Sequence, residues 1–430
     1  MIQHLIASSQ LITNTGSRYV TVDGSANDQS VLTDSDMVVA EAGVFSNSYA
    51  RLSVAPGAGN SWAITLMKNG VAQTHAIAIA ESATTGTDVT NPITVAAGDK
   101  LAWRFVGTSA PTSADVTIIA NYTPTTAQRA IWGSGCTAGA SNSATSYAPI
   151  GGGGNVSNVF TTVENAATVP WAINATITSL HIKKASAPGA GKNWVFSIMK
   201  NGLEEVSSQV TLADAATLAS ITGLSIVIAP GDTLSMKAVP TGTPSVDDTA
   251  WGISYTPTTD GQWNISGIQT ANMTTNAFQW VNVGGGDTDE SIEAERTSTA
   301  NGPLGSKLRA RGMRYRLTVA PGAGDTRTLT LYKNGAPTGL AATIANTDTT
   351  GSDTDNVQFD SLDTWSLQHT VTGTIAASAC SWSMLVETFG GAGGGEGGRP
   401  PRGKPPKGGG GGGLASGPVL KKLRFPDRVI

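Results

Sequence analysis

Residues 55–70 read APGAGNSWAITLMKNG, residues 187–202 read APGAGKNWVFSIMKNG, and residues 320–335 read APGAGDTRTLTLYKNG. Proline and lysine stand 12 apart in each copy, so one unit is repeated at a pitch of 132 and then 133. Within the copies the large side chains fall at every second position: Trp62, Ile64 and Leu66, then Trp194, Phe196 and Ile198, then Arg327, Leu329 and Leu331. A period of two is that of a β-strand with one buried face. Asn-Gly closes every stretch, and because both residues tolerate positive φ the pair predicts a tight hairpin. Arg327, at the place of a tryptophan, predicts that this strand end of the third copy is exposed or at an interface.

Other landmarks keep the pitch. AGDKL at 97–101 returns as PGDTL at 230–234 and, more weakly, as LDTW at 362–365. YTPTT at 122–126 returns at 255–259 and is replaced by ETFG at 387–390. Openings correspond too: YVTV at 19–22 before Asp23-Gly24, and YAPI at 147–150 and WVNV at 280–283 before runs of glycine. Three domains of about 130 residues follow, at 1–126, 127–259 and 260–390, with a remainder at 391–430. The last strand of each copy alternates as well (Val116, Ile118, Ala120, Tyr122; Trp251, Ile253, Tyr255; Cys380, Trp382, Met384, Val386), which places Cys380 on an inward face. Strands of this kind, separated by Gly/Pro/Asn/Asp turns, predict an all-β chain of three tandem antiparallel β-sandwiches. Roughly eight strands per unit suits a jelly roll. With cores of their own and short connections the units are expected to be separable, so that 127–259 alone unfolds cooperatively.

The composition fits. Of 430 residues 13% are charged and 39% hydrophobic, with 52 Gly and 20 Pro, and the length predicts two to four compact units. Cys136 and Cys380 have no CxxC or Cys/His cluster around them, which argues against a disulfide framework and a zinc site. No run reaches the roughly eighteen apolar residues of a membrane span. Residues 1–11 (MIQHLIASSQL) lack the basic region and apolar length of a signal peptide, so the expectation is cytoplasmic synthesis without a leader.

Charge is split along the chain. Residues 391–430 carry eight Lys or Arg against Glu396 and Asp427, whereas the rest carries 19 basic and 29 acidic residues. The same 40 positions hold 14 Gly and 6 Pro, including the run 408–413, a composition that cannot pack a core. This predicts an extended arm with an apolar end, in which Leu420, Leu423, Arg424, Phe425 and Ile430 would dock on a partner protein. Its modest charge without interleaved aromatics, beside an acidic body, argues against a nucleic-acid partner.

A search for chemistry returns little. There is no GxSxG elbow, and Gly189-Ala190-Gly191-Lys192 has Ser186 and Asn193 where a phosphate loop needs Gly and Ser/Thr, so a turn between strands is the expectation. His4, His75, His181 and His369 fall in unrelated registers with no nearby partner of ligand spacing, and each is read as a solvated or half-buried histidine. Asp348, Asp353 and Asp355 cluster in a loop whose first counterpart keeps Asp88, but the spacing matches no calcium loop and Asp in Thr/Gly-rich turns is ordinary turn chemistry. The acidic run 287–295 is read as a solvated loop or short helix. No cofactor or metal is expected. Ten tryptophans raise the possibility of sugar-stacking platforms; Trp62, Trp194, Trp251 and Trp382 sit at core-facing positions, and Trp132, Trp171 and Trp263 stay unassigned.

Tandem sandwiches with an APGAG…KNG hairpin, a GDxL strand entry and a YTPTT exit resemble the jelly-roll domains of bacteriophage virion proteins that decorate capsids or build tail appendages. The resemblance spans residues 1–390 and rests on turns and strand edges; no catalytic residue comes with it. It implies a structural virion protein made in the host cytoplasm, assembling as a trimer or higher homo-oligomer with other virion proteins. The alternative is an adhesin that binds a host surface glycan or receptor through exposed Trp or loop Asp/Asn.

Overall fold

In the computed structural model the described residues are 1–388, except 15, 26–29, 31, 33–35, 137–138, 152–159, 274–277, 282, 284–306, 362 and 376. The first repeat forms β1 (Gln3–Ile12), β2 (Ser17–Thr21), β3 (Gly24–Ser25), β4 (Met37–Val38), β5 (Gly43–Leu52) and β6 (Gly57–Lys68). It continues with β7 (Val71–Glu81), β8 (Thr85–Asp88), β9 (Ile93–Val95), β10 (Lys100–Thr108) and β11 (Ala114–Pro124). The second repeat forms β12 (Ala130–Cys136), β13 (Ser146–Ala148), the one-turn helix α1 (Glu164–Ala167), β14 (Val169–Pro170) and β15 (Ala175–Lys184). Its remaining strands are β16 (Gly189–Lys200), β17 (Leu203–Asp214), β18 (Leu218–Ile228), β19 (Thr233–Thr241) and β20 (Thr249–Pro257). The third forms β21 (Gln262–Met273), β22 (Phe278–Val281), β23 (Leu308–Leu317) and β24 (Gly322–Lys333), then β25 (Ala336–Asn346), β26 (Thr350–Phe359), β27 (Trp365–Thr372) and β28 (Ser378–Thr388).

Each repeat makes two facing sheets, and among the described residues no sheet crosses position 126 or 259. One set of sheets runs β1-β11-β5-β8, β12-β20-β15-β18 and β21-β28-β23-β26; the facing set runs β2-β10-β6-β7, β13-β19-β16-β17 and β22-β27-β24-β25. Counting the eight main strands of a repeat in chain order gives 1-8-3-6 and 2-7-4-5, the order of a jelly roll. The hairpins fall where Asn-Gly predicts them: Asn69, Asn201 and Asn334 have φ of 51°, 52° and 51°, and the following glycines 82°, 77° and 78°. The phosphate-loop look-alike is a bulged strand start, with Gly189 and Gly191 at φ 101° and 70° and a register shift before Asn193.

The recurring landmarks touch one another. Asn69 Nδ2 donates to Asp99 at 2.6 Å, Asn201 to Asp232 at 2.7 Å and Asn334 to Asp363 at 2.6 Å, while the backbone N–H after each aspartate donates back to the asparagine. Lys68, Lys200 and Lys333 reach the same carboxylates. Lys-Asn-Gly and the GDxL aspartate are thus two halves of one clamp.

Residues 1–389 form one compact body, and 390–430 a separate unit. Segment 36–40 of the first repeat lies over β12, β20 and β15 of the second, and β14 of the second lies over β21, β28 and β23 of the third. The contact is the same one displaced by a repeat: Val39 and Trp171 exchange equivalent backbone hydrogen bonds with the turns at Asp99 and Asp232. The approach is close, since a Cβ at Gly252 would stand 2.0 Å from the Val38 carbonyl oxygen, so only glycine fits there. His4 of the first repeat in turn meets Trp263 of the third, ring centroids 5.5 Å apart. A heterologous contact applied twice that returns to its starting unit closes a ring. The three jelly rolls surround a common centre, and their cores are not separate: the larger apolar cluster joins the second and third repeats and takes in Ile6 and Ile119 of the first.

Arg327 is neither exposed nor at an interface. Its exposure is 0%, and it fills the slot of Trp62 and Trp194 inside the third sandwich. The wall of that slot has changed to suit it. Tyr315, His369 and Cys380 stand where the first repeat has Ala50, Phe105 and Val116, and Arg327 Nη1 lies 3.4 Å from His369 Nε2. Burial, with the Arg327 charge adding to it, depresses His369 to about 3, and burial pushes the Cys380 thiol up to about 12.

Candidate functional site

All four histidines are buried, contrary to the solvated or half-buried reading, and His75 has the partners that spacing alone did not reveal. Its Nδ1 lies 2.7 Å from the Asn91 carbonyl oxygen, which can only accept, so Nδ1 carries the proton and Nε2 accepts from Ser48 Oγ at 2.6 Å. Asp88 Oδ2 is 3.6 Å from Nδ1. A serine, a histidine and a carboxylate in a row have the look of a nucleophilic triad. Their surroundings do not, because Ser48 and His75 are 0% exposed and Asp88 5%. Asp88 is engaged by the N–H groups of Ala76, Thr90 and Asn91, which, against the opposing effect of burial, hold its carboxyl down at about 2. The third repeat fills the places of Ser48 and His75 with Met313 and Leu340, so the group is a polar variant of a core position. Alternating inward positions on β5 and β7 were the signal that could have paired Ser48 with His75.

Asp353 and Asp355 lie in β26 and Asp88 at the end of β8, not in a loop as the sequence suggested. Asp353 accepts from the N–H of Ala341 and Asp355, as Asp88 does from Ala76, and no group of metal-ligating side chains occurs among the described residues. Every tryptophan is at most 2% exposed, the three unassigned ones included. Trp132 and Trp171 stack edge-on 5.3 Å apart, Trp171 meets Tyr255 at 5.0 Å, and Trp263 packs on His4. Leu420, Leu423, Arg424, Phe425 and Ile430, and the acidic run 287–295, lie outside the described residues.

At the common centre the Gln3 amide exchanges two hydrogen bonds with the Ile131 backbone, at 2.6 and 2.9 Å, and Asn264 Oδ1 accepts from the Ala172 N–H at 2.9 Å. Beside them a small cavity is lined from all three repeats, with Asp23 and His4 in its wall. Burial pushes the Asp23 carboxyl up to about 7, against the Gly133 N–H that it accepts, and lowers His4 to about 4.

A cleft marks each of the two junctions, and the two sit side by side on the repeat without coinciding: only Thr233 and Arg316 of the second correspond to lining positions of the first, Lys100 and Lys183. The first, lined by Asp36, Lys100, Lys183 and Asp248, holds about 10 Å³ and is occupied by the Lys100–Asp36 ion pair. The second opens to about 200 Å³ between β14 and the turn at Gly231 on one side and β23 and β26 on the other, with Arg314 and Arg316 in its wall. The alternate arginines of β23 (LRARGMRYRL) are the signal for this cleft, and the sequence reading passed over them.

No protein-family model matches the chain, and no curated protein does. Among solved structures, the crystal structure of the infectious bursal disease virus VP2 subviral particle is similar at 8% identity over 90% of this chain and 80% of that one, with a TM-score of 0.16.

Proposed function

We propose that the chain is a non-enzymatic structural protein on the exterior of a bacteriophage particle, a capsid decoration or tail component, tethered through residues 391–430. The observation that carries this reading is the ring of three jelly rolls around a shared centre. Such a body is stiff, presents its outer sheets for assembly, and leaves the triad-like group of Ser48, His75 and Asp88 sealed from any substrate. Jelly rolls are common in viral coats and in lectins alike, so the fold supports the reading without fixing it. Partners on this reading are other virion proteins and further copies of the chain. No helix among the described residues is long and apolar enough to cross a membrane.

Truncation after Phe389 tests the tether. The expected product is a folded, soluble body that no longer joins the particle, and Leu420→Asp with Phe425→Asp in the full chain should act the same way. Incorporation of the truncated protein at wild-type occupancy would place the anchor in the folded body and overturn the tether. The adhesin reading in its tryptophan-platform form has no support, since all the tryptophans are buried.

A further inference from the structure

We infer that the cleft between the second and third jelly rolls binds the carboxylate of an acidic sugar, a hexuronate or sialate unit, through Arg314. The outward face of β23 carries four arginines. Arg309 pairs with Glu387 at 2.7 Å and Arg311 with the same carboxylate at 3.5 Å, while Arg316 donates to the backbone and side-chain oxygens of Asn165. Arg314 has no hydrogen-bond or ion-pair partner among the described residues; it is half-buried, its Nε is enclosed, and it lines the cleft. A guanidinium held partly out of water and left without an anion is a costly arrangement that a bound carboxylate relieves.

Comparison of the two junctions within the molecule shows how the vacancy arose. At the first, cations and carboxylates are matched inside the chain: Lys100 pairs with Asp36, and Asp248 faces the same cleft. At the second, strand register puts Thr168 where Asp36 stands, Ala379 where Asp248 stands and Thr233 where Lys100 stands. The basic position of Lys183 is kept as Arg316, and Arg314 is new, in the place of His181. Two carboxylates and one lysine have gone and one arginine has been gained, and beside that arginine a cleft of about 200 Å³ opens where Thr350 replaces Leu218, the side chain that reaches Gly98 at the first junction. Glu164, close to Arg316, accepts from Ser235 Oγ at 3.2 Å.

The remaining wall selects the class of ligand. A cleft of 200 Å³ is below the ~300 Å³ at which drug-sized pockets begin, so it admits one small unit of a chain. Thr233, Thr350 and Ser352 bring hydroxyls to it and Pro170 an apolar ring face. A sugar acid matches all of this, with a carboxylate for the guanidinium fork, vicinal hydroxyls for the hydroxyl wall and a C–H face for the proline. This inference is independent of the virion reading and of the tether, since it concerns 1–388 alone.

The test is binding of the full chain to oligogalacturonate and to sialyllactose, with galactose oligomers and lactose as uncharged counterparts and inorganic phosphate and single-stranded DNA as generic anions. Binding of at least one acidic sugar is expected, with its neutral counterpart at least tenfold weaker. Arg314→Gln should weaken it on the order of tenfold or more without lowering the melting temperature, because no partner of Arg314 is lost. Arg311→Gln, on the same face but bound to Glu387, should leave it unchanged. Ser352→Asp, which sets a carboxylate directly across from Arg314 in the strand pair, should abolish binding and raise the melting temperature. Failure of both acidic sugars to bind overturns the proposal, as does equal competition by phosphate or DNA, or full affinity in Arg314→Gln and Ser352→Asp.

Discussion

A buried guanidinium such as that of Arg327 is expensive to desolvate and more expensive to remove carelessly. Arg327→Ala leaves a cavity and strips His369 of its neighbour, and is expected to cost about 3 kcal/mol or more in chemical denaturation. Arg327→Met, of similar length and apolar, is expected to lose less than half as much, and equal losses would show that the charge itself stabilises the core. The two titratable groups that line the central cavity give a second expectation. His4 is neutral in the folded chain down to about pH 4 while an unfolded histidine takes its proton near 6.5, so its contribution is present above 6.5 and is lost as pH falls toward 4. Asp23 has the opposite sign: raised to about 7, it contributes stability below its unfolded value near 4 that is lost as pH rises through 7. Asp23→Asn should therefore raise the melting temperature more at pH 8 than at pH 5, and the reverse order would mean that the carboxylate is ionised and satisfied in the folded chain. Neither residue announces itself in the sequence. Both lie in the first repeat, but the cavity that they line is completed by Trp132 of the second and Asn264 of the third, and no local pattern encodes that enclosure.

Hairpins and clamps form the next level, and here the repetition made the sequence unusually readable. Each Asn-Gly turn was visible three times over, and the aspartate about thirty residues on, at the same pitch, marked its hydrogen-bond partner. Gly202 is the cleanest probe. Its φ is 77° and a Cβ there would meet nothing within 4 Å, so the strain of a branched side chain would be backbone strain alone. Gly202→Val is expected to cost on the order of 1 kcal/mol or more, and Gly202→Asn much less, since asparagine tolerates the left-handed region. Equal losses would remove the conformational explanation. Sheet order was less readable than turns, because pairing the last strand of each repeat with its first and third is a tertiary choice. Strands bordering the centre hid their role for another reason. β28 alternates in sequence, with Ser381 and Ser383 between Cys380, Trp382 and Met384, yet it is buried on both faces from Ser378 to Val386, so an alternation that reads as one exposed face hides a covered one.

For the molecule as a whole, the shared core bears on how the repeats come apart. Each jelly roll has its own two sheets, but excising 127–259 would uncover Ile131, Trp132 and Trp171, which are buried in the intact chain. Residues 1–388 are therefore expected to melt in one calorimetric transition whose van't Hoff and calorimetric enthalpies agree. Three resolved transitions would mean that the junctions add little to the cores. Fusion of the three units has a further effect on what the chain can become. In a ring of identical subunits any substitution is copied at every contact, so a change that opens one cleft opens all of them and its cost is tripled. With the subunits strung on a single polypeptide each contact is written separately. The Lys100–Asp36 lock can hold one seam shut while a few replacements in the next repeats open a cleft at the other, and a body built of three like units can carry a site at one junction alone.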